Sequence, residues 1–64
     1  MNNLVTTSKK QFPGGVTTAY VLDEGDTYGV SVITRFDSGN YLTNYKETGM
    51  KPVDALKTAE FYTR

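Results

Sequence analysis

Three carboxylates, those of Asp23, Glu24 and Asp26, stand within four residues of one another. Carboxylate oxygens are the usual protein ligands of Ca²⁺ and Mg²⁺. The spacing does not match an EF-hand loop, because the further ligands and the terminal Glu of such a loop do not follow. Asp beside Gly, as in the pair around Gly25, is typical of a tight turn. We therefore expect a turn here and no metal site.

The available nucleophiles are the hydroxyls of Ser8, Ser31 and Ser38. None of them stands in a G-x-S-x-G motif, and the chain has no histidine that could activate one and no cysteine. We therefore expect no catalytic residue, no cofactor and no enzymatic activity.

Lys9 and Lys10 precede Phe12, and Arg35 and Lys46 add two further cations. Such a set could contact phosphates while the aromatic ring stacks on a base. The alternative is a solvated segment whose lysines serve solubility. Seven Lys and Arg balance seven Asp and Glu, whereas nucleic-acid binders usually carry a basic excess. The charge balance favours the solvated segment and disfavours nucleic acid as the partner.

The elements that would position these residues are strands and one helix. Segments 16–22, 28–36 and 41–47 are rich in Val, Thr and Tyr, and turn residues separate them at 23–27 and 37–40. This pattern predicts an antiparallel β-meander over 16–47, and Gly49 is expected to end the strand region. Residues 1–15 form either a fourth strand or a flexible arm.

The last segment changes from strand to helix periodicity. Pro52 suits the first turn of a helix, and Ala55, Leu56, Ala59 and Tyr62 share one stripe, so a helix is expected over 52–63. The predicted fold is a single α+β domain over 1–64. It has a three-stranded or four-stranded antiparallel sheet and one C-terminal helix packed on one face.

Hydrophobic matching predicts the register of the sheet. Pairing Phe36 with Tyr41, and Leu22 with Tyr28, collects the apolar residues on one face. The predicted core face holds Val16, Tyr20, Leu22, Val30, Val32, Phe36, Tyr41 and Tyr45, and Leu56 and Ala59 pack on it from the helix. The opposite face then holds Ala19, Val21, Ser31, Ile33, Arg35, Leu42, Asn44 and Lys46.

Three large apolar residues, Ile33, Leu42 and Phe61, fall outside the predicted core. They are ordinary surface residues, or the N-terminal segment covers them, or they contact a partner. Apolar anchors and arginines supply much of the binding energy in interfaces, so Ile33, Arg35, Leu42 and Phe61 are the predicted partner-binding residues. The partner is expected to be a protein, and a second copy of the chain is the simplest candidate.

Parts of the chain resemble known families. Residues 49–59 resemble the end of a double-stranded-RNA-binding domain, although Pro52 and Val53 stand where that family has a lysine pair. Residues 52–56 are similar to the helix start of HicB-type antitoxin domains. Integrase arm-binding domains also combine a three-stranded sheet with a helix, but their strands are more basic. None of these resemblances assigns a functional residue.

In size and in its lack of active-site residues, the chain resembles small inhibitors of phages and mobile elements, including anti-CRISPR proteins. The first residues lack a signal-peptide pattern, and the apolar runs fall short of the roughly 20 residues of a membrane span. We therefore expect a non-enzymatic protein-binding domain in the cytoplasm, an accessory inhibitor of a host defence or regulatory complex. The alternative is a small nucleic-acid-binding βββα domain.

Overall fold

Four antiparallel strands and one C-terminal helix make up the chain. A computed structural model describes residues 3–64. The elements are β1 (Asn3–Phe12), β2 (Gly15–Asp23), β3 (Tyr28–Phe36), β4 (Tyr41–Met50) and α1 (Pro52–Tyr62). The strands lie in one sheet in the order β1-β2-β3-β4, and α1 packs mainly on β2 and β3. The predicted α+β fold is confirmed, and the N-terminal segment forms the fourth strand, although residues 1–2 lie outside the described part.

The turn between β2 and β3 is one residue shorter than predicted. Asp23 pairs with Tyr28, because the Asp23 side chain accepts a 2.9 Å hydrogen bond from the Gly25 N–H and the Glu24 N–H bonds Thr27. A shift of one residue moves every side chain of a strand to the other face.

The shift makes the predicted facing of β2 wrong along its whole length. Ala19 pairs with Val32 and Val21 pairs with Val30, so these two small side chains lie under α1. Val16, Tyr20 and Leu22, which were expected in the core, lie on the face away from the helix.

The pairing of β3 with β4 contains a bulge. Val32 pairs with Tyr45, as predicted, but Ile33 pairs with Thr43, so that Asn44 is the extra residue. Beyond the bulge, Thr34 meets Leu42 and Arg35 meets Tyr41, and the predicted Phe36–Tyr41 pair is wrong. Leu42 and Asn44 therefore lie on the helix side of the sheet, not on the opposite face.

The core lies between α1 and the middle of the sheet. Its buried apolar residues are Ala19, Val21, Val30, Val32, Ala55 and Ala59. Tyr45 and Tyr62 pack against this cluster with ring centroids 5.2 Å apart. Three predicted core residues, Phe36, Tyr41 and Leu56, are exposed. Small residues at 55 and 59 let the helix lie close to the sheet, and Leu56 lies on the flank of the helix that faces away.

β4 ends later than predicted, whereas α1 begins at Pro52, as expected. β4 continues through Gly49, whose φ of 71° lies in the left-handed region, to Met50. Gly49 therefore does not end the strand. α1 ends at Tyr62, where the Thr63 hydroxyl bonds the Ala59 carbonyl at 2.9 Å. Within residues 3–64, no helix is long and apolar enough to span a bilayer.

Candidate functional site

The candidate site is the face of the sheet opposite α1, which no other element of residues 3–64 covers. Residues 3–12 form the edge strand β1 and do not lie across this face. We call it the open face, and strand alternation with the observed pairing defines its members. They are Leu4, Thr7, Lys9 and Gln11 of β1, Val16, Thr18, Tyr20 and Leu22 of β2, Gly29, Ser31, Ile33 and Arg35 of β3, and Tyr41, Thr43 and Lys46 of β4.

The centre of the open face is apolar and closely packed. Thr18 is only 6% exposed although no element covers it, so the side chains around it in the sheet enclose it. Tyr20, Leu22 and Ile33 are half-buried, and Leu4, which pairs with Leu22, is exposed. The face therefore presents an aliphatic and aromatic centre to solvent.

Three cations surround this centre. Lys9 lies on β1, Arg35 on β3 and Lys46 on β4, and all three are exposed. None of the open-face positions is acidic. The carboxylates that balance these charges stand in the turns, at the end of β2, on the helix side of β4 and on α1, and among them Glu24 turns back to the margin of the open face. The charges are thus separated, and the open face is the positive side of the molecule.

One carboxylate reaches the margin of the open face. A recess of about 290 Å³ lies at one corner, and Glu24, Gly29 and Lys46 are among the residues that line it. The Glu24 carboxylate lies directly over Gly29, where an added Cβ would stand 2.9 Å from it. Its Oε1 accepts a 3.4 Å hydrogen bond from the Gly49 N–H. The recess therefore accommodates a carboxylate.

The predicted partner-binding residues do not form one surface. Ile33 and Arg35 lie together on the open face, as expected from their alternation in β3. Leu42 is exposed on the helix side of β4. Phe61 is exposed on α1, where it meets the Tyr62 ring edge-on at 5.3 Å and lies 5.5 Å from the Arg64 guanidinium.

The four cations of the possible phosphate-contacting set do not all lie on one face of the sheet. Lys9, Arg35 and Lys46 share the open face, whereas Lys10 and Phe12 alternate to the helix side. There Phe12 packs edge-on against Phe36, with ring centroids 6.4 Å apart. The cation–aromatic set that Lys9 to Phe12 offered as an alternative is therefore divided, with Lys9 on the open face and Lys10 and Phe12 on the helix side.

Other open-face residues were missed from the sequence. Tyr20 and Leu22 were assigned to the core, because the predicted register of β2 was wrong by one residue. Leu4 lies in the segment 1–15, for which the sequence predicts either a strand or a flexible arm. In the sequence, Tyr20 and Leu22 alternate with Ala19 and Val21, which shows that the two sets lie on opposite faces of the sheet. Which set faces the helix depends on the length of the turn between β2 and β3.

The acidic triplet forms a turn. Asp23 accepts the Gly25 N–H, and Glu24 turns back over Gly29. Within residues 3–64, no group of three or more His, Cys, Asp or Glu side chains is arranged to hold a metal ion.

Comparison of the chain with protein-family models, curated proteins and solved structures finds no match. The function is therefore inferred from the geometry and charge of the open face.

Five polar side chains on the helix side, those of Thr17, Thr34, Asn44, Tyr45 and Glu47, bond one another within the sheet. The Thr34 hydroxyl lies 2.9 Å from that of Thr17 and donates to Asn44 Oδ1 at 2.6 Å. The Tyr45 hydroxyl donates to the Glu47 carboxylate. This bond, with partial desolvation and the charge of Glu47, raises the pKa of Tyr45. The threonine contacts join β2 to β3 and hold the bulge at Asn44, and the Tyr45–Glu47 bond lies within β4, so all of them have a structural role.

Proposed function

We propose that this chain is a non-enzymatic protein-binding domain that contacts its partner through the open face. The observation that carries the proposal is an uncovered sheet face with an apolar centre and three surrounding cations. Contiguous exposed apolar patches on small domains commonly mark interaction sites. Ile33, with Val16 and Tyr20 diagonal to it on β2, supplies the kind of central anchor that dominates binding energy, and Arg35 is a residue type enriched in interfaces.

The mode of action that suits this architecture is occlusion. A four-stranded sheet backed by a helix offers a firm surface, and binding it to another protein blocks whatever that surface of the partner does. We therefore propose an accessory inhibitor of the phage or mobile-element type, acting in the cytoplasm on a host defence or regulatory complex. Its small size and its lack of histidine and cysteine support this class.

The test is a pull-down with matched variants. Three tagged chains are used: wild type, Ile33→Asp and Leu56→Asp. The proteins that each chain retains after crosslinking are identified and compared. Circular dichroism establishes that all three chains are folded. Leu56 is 46% exposed on the outer flank of α1, so Leu56→Asp controls for a new surface charge. A partner retained by wild type and Leu56→Asp but lost by Ile33→Asp supports the proposal.

The opposite pattern contradicts it. Loss of the partner in Leu56→Asp or Phe61→Asp, with retention in Ile33→Asp, would make the outer surface of α1 the contact. Phe61 was among the predicted binding residues and is exposed there, so the experiment also decides its role.

Nucleic acid binding is the second candidate, because Lys9, Arg35 and Lys46 lie on one face with Tyr20 and Tyr41. Fluorescence anisotropy with a single-stranded and a double-stranded oligonucleotide tests it. Neutralising three phosphates predicts a slope of log affinity against log salt of about −2 to −3. Tight binding with such a slope, lost in Arg35→Glu, would place nucleic acid ahead of protein as the partner.

A further inference from the structure

We propose that the open face recognises an acidic segment of its protein partner, one in which aliphatic side chains are flanked by Asp or Glu. This inference rests on the proposed function and adds the chemistry of the partner. The inference rests on charge complementarity: the open face is positive, although the chain has no net charge, and an acidic segment is negative.

The three cations surround Ile33 rather than standing apart from it. Lys9 lies in the same cross-strand row, which runs through Thr18 to Ile33. That row places Lys9 about 10 Å away, and Arg35, two residues along β3, stands about 7 Å away. Lys46 pairs with Ser31 and is diagonal to Ile33 on the next strand. A segment that puts an aliphatic side chain on Ile33 therefore has a cation on three sides.

A second copy of the chain is a poor occupant of this face. In a two-fold dimer the same surface meets itself, so two faces that each carry three cations and no carboxylate at their centre would repel each other. Charge complementarity thus selects a different molecule, one that is negative.

Nucleic acid is also negative, but the centre of the face suits it less well. Bases stack on aromatic planes; Tyr20 offers one such plane near the centre, but Ile33 and Val16 beside it are aliphatic. The zero net charge also denies the chain a long-range attraction to a polyanion. An acidic protein segment with aliphatic anchors fits both the charge and the apolar centre.

Glu24 indicates how a partner carboxylate would sit. Its own carboxylate lies flat over Gly29 in the recess that Lys46 also lines, and it accepts the Gly49 N–H. The recess thus already holds an intramolecular carboxylate, and this negative charge opposes an incoming one. Glu24→Gln should strengthen binding of an acidic segment about twofold to fivefold, the range expected of one exposed charge pair.

The experiment selects a displayed library of random peptides on the full chain. The expected result is enrichment of peptides that combine Leu, Ile or Val with Asp or Glu. The selected peptides should bind Lys9→Glu and Arg35→Glu about threefold to tenfold more weakly than wild type, with a loss of affinity on adding salt. Lys57→Glu is the matched control, because Lys57 is exposed on α1, and it should leave the affinity unchanged.

The other outcomes each overturn a stated part. Peptides without acidic enrichment that are still lost by Ile33→Asp refute the acidic partner but keep the open face as the contact. Peptides that ignore Ile33→Asp, or no enrichment of any kind, refute the open face itself. Tighter binding to a dT oligonucleotide than to any selected peptide, with loss in Arg35→Glu, would replace the protein segment by nucleic acid.

Discussion

Val32 and Ile33 are neighbours in β3 and face opposite sides of the sheet. Val32 is 0% exposed under α1, whereas Ile33 is half-buried on the open face. A carboxylate at residue 32 would be buried without a partner, at a cost of several kcal/mol, and a domain of this size has little stability to lose. We expect Val32→Asp to unfold the chain and Ile33→Asp to cost about 1 kcal/mol or less.

Urea unfolding followed by circular dichroism measures both variants, and Val32→Ala gives an intermediate reference at about 1–3 kcal/mol. If Ile33→Asp unfolded the chain as completely as Val32→Asp, the open face would be buried in solution. The partner surface would then have to lie elsewhere.

The raised pKa of Tyr45 predicts how the stability of the fold depends on pH. Its hydrogen bond to Glu47 raises its pKa above the ordinary value of 10.0, so the folded chain holds this proton more tightly than the unfolded chain. The resulting stabilisation is present below that ordinary value and is lost as the pH rises through the raised pKa. We expect Glu47→Gln to lower the pKa of Tyr45 towards its ordinary value.

Titration of the tyrosine ring carbons by NMR measures that pKa, and Tyr45→Phe assigns the signal among the five tyrosines. An unchanged pKa in Glu47→Gln would show that the hydrogen bond is not its main cause.

At the scale of the elements, composition and turn residues predicted which segments are strands and where the helix begins. The bounds of β3 were predicted correctly, and its alternation placed Ile33 and Arg35 on the outer face. The facing of β2 depended on whether Asp23 belongs to the turn or to the strand. The sequence does not decide this, because either turn length keeps an alternating apolar pattern; in the structure Asp23 pairs with Tyr28 and its side chain accepts a hydrogen bond from the Gly25 N–H.

The bulge at Asn44 had no comparable signal. β4 offers no glycine there, and the extra residue is held by a hydrogen bond from Thr34 on the neighbouring strand. A contact between strands is not visible in the local sequence. For this reason Leu42 was placed on the outer face, and the candidate site predicted from the sequence joined residues that lie on opposite sides.

The packing of α1 on the sheet depends on small residues, which gives a prediction for the element. Ala59 is 2% exposed and Leu56 is 46% exposed. Ala59→Leu would force a larger side chain between helix and sheet and should cost about 1–3 kcal/mol. Leu56→Ala should change the free energy of unfolding by about 0.5 kcal/mol or less, as for other surface sites.

Chemical denaturation of the two variants provides the measurement, with wild type in the same series. A larger loss in Leu56→Ala than in Ala59→Leu would mean that Leu56 packs on the sheet, as the helical stripe predicts.

At the scale of the whole molecule, the net charge is zero but the charges are unevenly distributed between the open face and the rest of the surface. The open face carries Lys9, Arg35 and Lys46 without a carboxylate at its centre. Asp26 and Asp37 lie in turns, and further acidic residues lie on α1 and on the helix side of β4. Composition alone therefore argues against nucleic acid as the partner, while the arrangement of the same residues favours an acidic protein segment.

The same charge arrangement predicts how the chain associates with itself. Pairing of two open faces would bury the apolar centre but bring like charges together, so it should be weak at low salt and strengthen as salt screens the repulsion. The Debye length falls from about 10 Å at 0.1 M to about 3 Å at 1 M. Sedimentation velocity at these two salt concentrations measures the effect, and Arg35→Gln should move the onset of association to lower salt. A dimer that is stable at 0.1 M and dissociates at 1 M, and that Ile33→Asp abolishes, would instead show that the open face pairs with itself through attractive charges, so that its cations must then meet carboxylates of the second copy.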